Sequence, residues 1–73
     1  MLTSSPSDLV SQAQLALSES PFYALRRVVV EQQNDQELEL SGLVATFYQK
    51  QQAQEIVRTI VKSMTVVNLI EVS

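Results

Sequence analysis

Residues 27–44 read RVVVEQQNDQELELSGLV, and this stretch decides the fold. Its first part, residues 27–31, is rich in β-branched valine and too short for a helix, which predicts a strand. Its second part, residues 37–41, alternates polar residues with leucine, which predicts a strand with one solvated and one buried face. Asn34 and Asp35 lie between the two parts, and both residue types tolerate turn geometry. The stretch therefore predicts a β-hairpin.

The only glycine of the chain, Gly42, interrupts the second of these strands. Glycine inside a strand often marks a bulge or a close approach by another part of the backbone. We expect a helix to cross over Gly42, so that a Cβ atom at this position would collide with it. The role predicted for this glycine is structural.

A helix start precedes the hairpin. Ser5 can act as the N-cap, and Pro6 suits the first helical position. The apolar residues that follow recur at helical spacing: Leu9, Val10, Ala13, Ala16 and Leu17. Pro21 cannot continue such a helix. These features predict a helix over residues 6–19, after a loose tail over residues 1–5.

A second helix start follows the hairpin at Thr46. Thr46 and Gln49, three residues later, match the capping box. In this motif the side chain of each residue accepts a hydrogen bond from the backbone N–H of the other. Apolar residues then repeat with a helical period: Ala53, Ile56, Val57, Ile60, Val61 and Met64. This pattern predicts a helix over residues 47–62. The β-branched run over residues 65–72 predicts a third strand.

The predicted order of elements is α-β-β-α-β. The helix between the second and third strands is a crossover, which normally makes those strands parallel and follows a right-handed path. Both helices can then cover one face of a three-stranded mixed sheet, which is a two-layer α+β sandwich. A chain of 73 residues has the length of one domain, which we place at residues 6–73.

Composition excludes several classes of function. The chain has neither cysteine nor histidine, which removes disulfides, thiolate metal sites and the usual proton shuttle. Five basic against eight acidic residues give a net charge of −3, which argues against strong binding to nucleic acid. The sequence contains no glycine-rich phosphate loop and no calcium loop. We therefore expect no enzymatic activity, no cofactor, no metal and no nucleic acid partner.

Three segments share the order and spacing of a known family: residues 40–44, 50–53 and 66–72. They read L-x-G-x-V, K-x-x-A at a helix start, and V-x-N-x-I-x-V in the last strand. In these features the chain resembles the BON domain, a small module of bacterial osmotic-shock and envelope proteins, over nearly its whole length. Gly42 and Asn68 are the most telling positions. The resemblance implies a non-catalytic module that associates with phospholipid membranes or envelope partners.

Strand alternation also predicts a sheet face that neither helix covers. If Leu38 and Leu40 face the helices, residues of the opposite parity face away from them. The outward apolar positions are Val29, Leu43, Val67 and Leu69. A contiguous exposed apolar area often marks an interaction site, so we predict that this face binds a protein partner or a second copy of the chain. The alternative is that the four residues are scattered, or are covered by the tail or by Phe22 and Tyr23.

The family resemblance also directs attention to the cations. Anionic lipid attracts clustered basic residues, and the candidates here form two small pairs. They are Arg26, Arg27, Arg58 and Lys62. The alternative is that these residues are only solvated charges. We expect Phe22 and Phe47 to be core anchors, with the neighbouring tyrosines half-buried.

We expect no secretory leader in the stretch MLTSSPSDLV, because it lacks a charged start followed by an apolar stretch. The apolar runs are also far shorter than the ~18 residues that a membrane span needs. We expect a cytoplasmic location by default, and an envelope or periplasmic one if the chain belongs to a larger exported protein.

Overall fold

The helices and strands follow the predicted order. The computed structural model describes residues 6–73, with side chains from Leu9 onward. The predicted tail and the Ser5 N-cap lie outside the described residues. The elements are α1 (Pro6–Ser18), a 3₁₀ helix (Tyr23–Arg27), β1 (Val29–Asn34), β2 (Glu37–Ser41), β3 (Leu43–Val44), α2 (Phe47–Ile60), β4 (Thr65–Asn68) and β5 (Glu71–Val72).

The main sheet has three strands in the order β1-β2-β4. β1 and β2 form the antiparallel hairpin, with Val30 opposite Leu40. β2 and β4 are parallel, with Leu38 opposite Val66, so α2 is the crossover that joins them. β3 and β5 form a short parallel pair of their own. The predicted α+β class and the mixed three-stranded sheet are both confirmed.

Both helices pack on one face of this sheet. Val30 of β1 and Leu38 and Leu40 of β2 are buried, and the helices supply the other side of the core. The buried core consists of Ala13, Leu17, Leu25, Val28, Val30, Leu38, Leu40, Val44, Ala53, Val57, Val61 and Ile70. Full burial of a valine- or leucine-sized side chain stabilises a fold by about 1.5–3 kcal/mol. The alternation in the sequence of β2 therefore provides the apolar face on which the helices pack.

The hairpin turn is closed by a side chain. The Gln36 N–H donates to Asn34 Oδ1 at 2.8 Å, which is an Asx turn. The pairing of β1 with β2 shifts in register between Gln32 and Asn34, so β1 ends in a bulge. The predicted turn is confirmed.

The start of the first strand differs from the prediction. The segment Tyr23–Arg27 forms a 3₁₀ helix, which ends when the Val28 N–H bonds to the Leu25 carbonyl. β1 therefore begins at Val29 and runs to Asn34, instead of covering residues 27–31. Leu25 and Val28 are both buried, so the 3₁₀ helix turns apolar side chains into the core before the strand begins.

The predicted reason for Gly42 is wrong. The nearest atoms to a Cβ built at Gly42 belong to Val28, at 3.4 and 3.5 Å, and not to a crossing helix. Those distances are ordinary van der Waals contacts. Gly42 instead has a φ of 149°, a conformation that residues with a side chain rarely adopt. Glycine is needed here for its backbone geometry, which separates β2 from β3.

The predicted capping box begins α2. Thr46 Oγ1 accepts from the Gln49 N–H at 3.1 Å. Gln49 Oε1 reaches back to the Ala45 N–H at 2.9 Å, one residue before the position usual in a capping box. The helix ends at Ile60, two residues earlier than predicted.

The predicted third strand is divided in two. β4 ends at Asn68 and β5 begins at Glu71. Between them, Asn68 Oδ1 accepts from the Ile70 N–H at 3.1 Å, which turns the backbone locally. Asn68 Nδ2 donates to the Lys50 carbonyl at 3.0 Å and to Gln54 Oε1 at 3.2 Å, which ties β4 to α2. The structural role predicted for Asn68 fits these contacts.

Candidate interaction surfaces

The sheet face opposite the helices contains all four predicted partner-face residues, and we call it the open face. Val29 lies opposite Ser41, Val67 lies beside Glu39, and Leu43 lies beside Glu71. Leu69 follows directly, because its N–H bonds to the Leu40 carbonyl. Val29, Leu43 and Leu69 are exposed and Val67 is partly exposed. No element of the described chain covers this face.

Carboxylates lie among the apolar residues of the open face. Strand pairing places Glu31, Glu39 and Val67 in one row across the sheet. Glu37 lies in the next row on one side, and Glu71 lies beside Leu43 two rows away on the other side. The open face is therefore a mixture of apolar and acidic positions, and not the continuous apolar patch that the alternation alone suggested.

A second surface lies at the end of the molecule where α2 begins. Three aromatic side chains are largely exposed there: Phe47 at 75%, Tyr23 at 68% and Tyr48 at 60%. The rings of Phe22 and Tyr48 meet edge to face, with centroids 6.0 Å apart, which joins the 3₁₀ helix to the first turn of α2. We call this surface, formed by Tyr23, Phe47 and Tyr48 with the adjacent Arg26 and Arg27, the aromatic end.

The predicted burial of these aromatics is wrong, apart from Phe22, which packs partly against the core. The helical period explains why. Phe47 precedes the buried Ala53 by six residues, which at about 100° per residue places it about 120° around the helix from Ala53, away from the core side of α2. The same count from Ala53 would have identified Phe47 and Tyr48 as solvent-facing from the sequence alone.

The structure separates the four predicted lipid-facing cations into two places. Arg26 and Arg27 lie at the aromatic end, where Arg26 Nε donates to the Ser20 carbonyl at 2.7 Å. Arg58 lies in the last turn of α2 and Lys62 just after it. A helix of 14 residues is about 21 Å long at 1.5 Å per residue, so the two pairs lie far apart. They do not form one cationic cluster.

A shallow depression of about 360 Å³ adjoins the aromatic end. It is lined by Tyr23, Ala24 and Arg27 of the 3₁₀ helix and by Gly42 and Leu43. It connects the exposed Tyr23 ring to Leu43 on the open face. The depression combines an aromatic ring, an aliphatic side chain and a guanidinium group, which are the groups that meet at lipid and protein interfaces.

Two further features bear on the class of function. Within residues 6–73, no group of three or more acidic side chains is arranged to hold a metal ion. None of the helices in the same part of the chain has the length and apolar character required to cross a membrane.

Comparison with known proteins gives no family for the chain. No protein-family model matches the sequence, and a search of curated proteins finds no significant match. The resemblance to the BON domain therefore depends on the three segments around Gly42, Lys50 and Asn68 alone.

Proposed function

We propose that this chain is a small, non-catalytic, BON-like binding module that attaches to an anionic phospholipid surface through the aromatic end. The observation that supports the proposal most is the exposure of Tyr23, Phe47 and Tyr48, with Arg26 and Arg27 in the same 3₁₀ helix as Tyr23. Large exposed aromatic side chains in a group are unusual for a surface that meets only water. Aromatic rings with a polar tip also suit the headgroup region of a membrane.

The charge distribution favours this end as the one that meets lipid. Each cation near an anionic surface contributes about 1 kcal/mol of attraction, so Arg26 and Arg27 together contribute about 2 kcal/mol. Lys50 lies in the first turn of α2, which begins at this end. The net charge of the chain is −3, so an anionic surface repels the acidic remainder and orients the aromatic end towards the membrane. Binding of this kind is reversible and sensitive to salt.

Vesicle flotation with a matched pair of charge reversals tests the proposal. Arg27→Glu and Arg58→Glu make the same chemical change at exposed positions, one at the aromatic end and one at the opposite end of α2. With phosphatidylglycerol-rich vesicles, Arg27→Glu is expected to reduce the bound fraction at least about fivefold, because it replaces attraction by repulsion. Arg58→Glu is expected to leave it nearly unchanged.

Two results contradict the proposal. One is the absence of flotation for the wild-type chain at low salt on phosphatidylglycerol vesicles. The other is equal binding to phosphatidylglycerol and phosphatidylcholine vesicles, because an uncharged surface offers nothing for Arg26 and Arg27 to attract.

The open face supports a second candidate function, the binding of a protein. Carboxylates lie beside apolar residues on it, as in the row of Glu31, Glu39 and Val67. A partner that complements this pattern carries basic and apolar residues together. A second copy of the chain is disfavoured, because two such faces would oppose carboxylate to carboxylate. We therefore infer a heterologous, positively charged partner for this face.

A second matched pair tests this candidate. Leu69→Lys and Leu15→Lys each place a cation at an exposed leucine, the first on the open face and the second on α1. The probe is an amphipathic helical peptide of lysine and leucine, followed by amide chemical shifts. Perturbations at Glu39, Val67 and Leu69 that disappear only with Leu69→Lys support the site. Perturbations spread over all acidic residues, or equal effects of the two variants, contradict it.

A further inference from the structure

A side chain partly occupies the outer edge of the sheet. β1 is an outer strand, and its one neighbour in the sheet of the described chain is β2. On its other side, Gln14 of α1 donates from Nε2 to the Val28 carbonyl at 2.6 Å and accepts at Oε1 from the Val30 N–H at 3.0 Å. A residue in a parallel strand makes the same two bonds, to the two residues that flank its partner. The Gln14 amide thus takes the place of one strand residue.

The next backbone groups along this edge point outward as well. The Val30 N–H points away from β2, because it bonds to Gln14. Backbone groups in a strand alternate in direction, so the Val30 carbonyl and the N–H and carbonyl of Gln32 also face away from β2. Among the side chains described from Leu9 onward and the backbone of residues 6–73, none bonds to the Val30 carbonyl or to the Gln32 N–H. Unpaired groups of this kind are a template for another strand.

A shallow, open groove runs beside these unpaired groups. It has a volume of about 610 Å³ and lies between Val10 and Ser11 of α1 and residues 30–33 of β1. Val10 and Val30 give the groove an apolar wall, and Glu31 gives it an acidic rim.

We propose that this groove binds an extended segment of a partner protein, which adds as a further strand to the outer edge of β1. The Val30 carbonyl and the Gln32 N–H hold its main chain. Its side chains point alternately to the two faces of the sheet. One set packs against Val10, which favours small apolar residues, and the other lies beside Glu31, which favours lysine or arginine. The segment therefore alternates apolar and basic residues.

The edge carries little of the protection that outer strands usually have. The sequence of β1, VVEQQN, contains neither lysine nor proline. Gln14 at one end and the bulge near Gln33 at the other limit how far pairing can extend. A second copy of the chain is a poorer occupant, because the Gln14 side chain already pairs with Val28 and Val30 and leaves only part of the β1 edge unpaired. Pairing of two β1 edges would also bring the Glu31 carboxylates together.

The first test uses the unmodified protein. The isotope-labelled full chain is titrated with a short probe peptide of alternating valine and lysine, and amide shifts and hydrogen exchange are followed. Shifts are expected around Val30 and Gln32, with slower exchange of the Gln32 N–H in the complex. Methylation of the peptide nitrogens at one set of alternate residues should weaken binding about tenfold, the effect of one or two lost hydrogen bonds. Methylation of the peptide nitrogens at the other set of alternate residues should change the affinity by less than about twofold.

A pair of variants gives a second, independent readout. Gln32→Pro removes the outward N–H, at an edge position where proline is tolerated, whereas Gln32→Ala keeps it. Only the proline variant is expected to lose affinity for the peptide, by about fivefold to tenfold. If that variant does not fold, the methylated peptides still decide the question.

Three outcomes overturn the proposal. Equal effects of the two methylation sets show that no directional main-chain pairing occurs. Shifts at Glu39 and Val67 instead of Gln32 place the peptide on the open face. Protection of the Gln32 N–H in the free chain shows that the edge is already occupied, by a second copy if protection rises with protein concentration and by the chain itself if it does not.

Discussion

The amide of Asn68 lies between β4 and α2, and both of its polar atoms are used. Its Nδ2 holds the Lys50 carbonyl and Gln54 Oε1, and its Oδ1 holds the Ile70 N–H. Only a side chain with a donor and an acceptor at this length makes all three bonds. Gly42 acts differently, because it contributes a backbone conformation and, through its carbonyl, accepts only a backbone bond from the Glu71 N–H. The positions that carry the family resemblance most clearly are thus explained by local geometry.

Asn68→Ala is expected to lower the free energy of unfolding by about 1–3 kcal/mol, because it leaves partly buried partners without a bond. Asn68→Asp is expected to be at least as destabilising. It keeps the acceptor for Ile70 but sets a carboxylate against the Lys50 carbonyl and Gln54 Oε1. Urea unfolding followed by circular dichroism measures both. An aspartate variant as stable as the wild type would show that the two bonds to α2 contribute nothing.

Gly42→Ala is expected to cost about 1–3 kcal/mol, because a φ of 149° is strained for a residue with a side chain. The matched control is Ser41→Ala at the exposed neighbouring position, which should change stability by less than about 0.5 kcal/mol. If the two variants unfold at the same urea concentration, the backbone requirement assigned to Gly42 is wrong.

At the scale of elements, α2 is defined by its start. Thr46 and Gln49 fix the first turn through two backbone bonds, and the apolar side that follows packs into the core and against β4. The same start turns Phe47 and Tyr48 to the solvent. The cap that stabilises the helix therefore also sets the aromatic end.

Thr46→Ala is expected to lower the free energy of unfolding by about 1 kcal/mol, the usual cost of losing an N-cap side chain. Thr46→Ser retains the accepting hydroxyl and should keep most of the stability. The midpoint of urea unfolding should move without a change in the slope of the transition, since the exposed area on unfolding is the same. Equal midpoints for the alanine and serine variants would contradict the role of the cap.

The sequence predicted the elements whose signals are local, and it missed the features that depend on contacts between elements. The alternation at Leu38 and Leu40 was sufficient to place β2, and the Thr46 pair was sufficient to place α2. The break after Asn68 was not predictable from a β-branched run, because it depends on bonds from the side chain to Ile70 and to a distant helix. The outward edge of β1 could not be predicted either, since it depends on Gln14 meeting Val30 across the tertiary structure.

The open face was predicted because it needs only strand parity. The sequence also places Glu37 and Glu39 on this face by parity. That a carboxylate lies beside Val67 follows only from the register between β2 and β4. The aromatic end was missed because the aromatics were assigned to the core by residue type. Counting the helical period back from Ala53 would have corrected that assignment.

At the scale of the whole molecule, three surfaces of different chemistry surround a small shared core. The aromatic end carries arginine and exposed rings, the open face carries carboxylates among aliphatic side chains, and the β1 edge carries unpaired backbone groups. Such a division allows one end to contact lipid while a protein contacts the sheet. The central claim is the first of these, that the aromatic end meets the membrane.

Intrinsic tyrosine fluorescence tests this claim most directly. The chain has no tryptophan and two tyrosines, Tyr23 and Tyr48, both at the aromatic end, so its emission reports on this surface alone. With anionic vesicles that contain brominated lipid, tyrosine emission is expected to be quenched at low salt and to recover as salt is added. Flotation of the chain on the same vesicles without any quenching would contradict the claim, because the protein would then be bound through another surface.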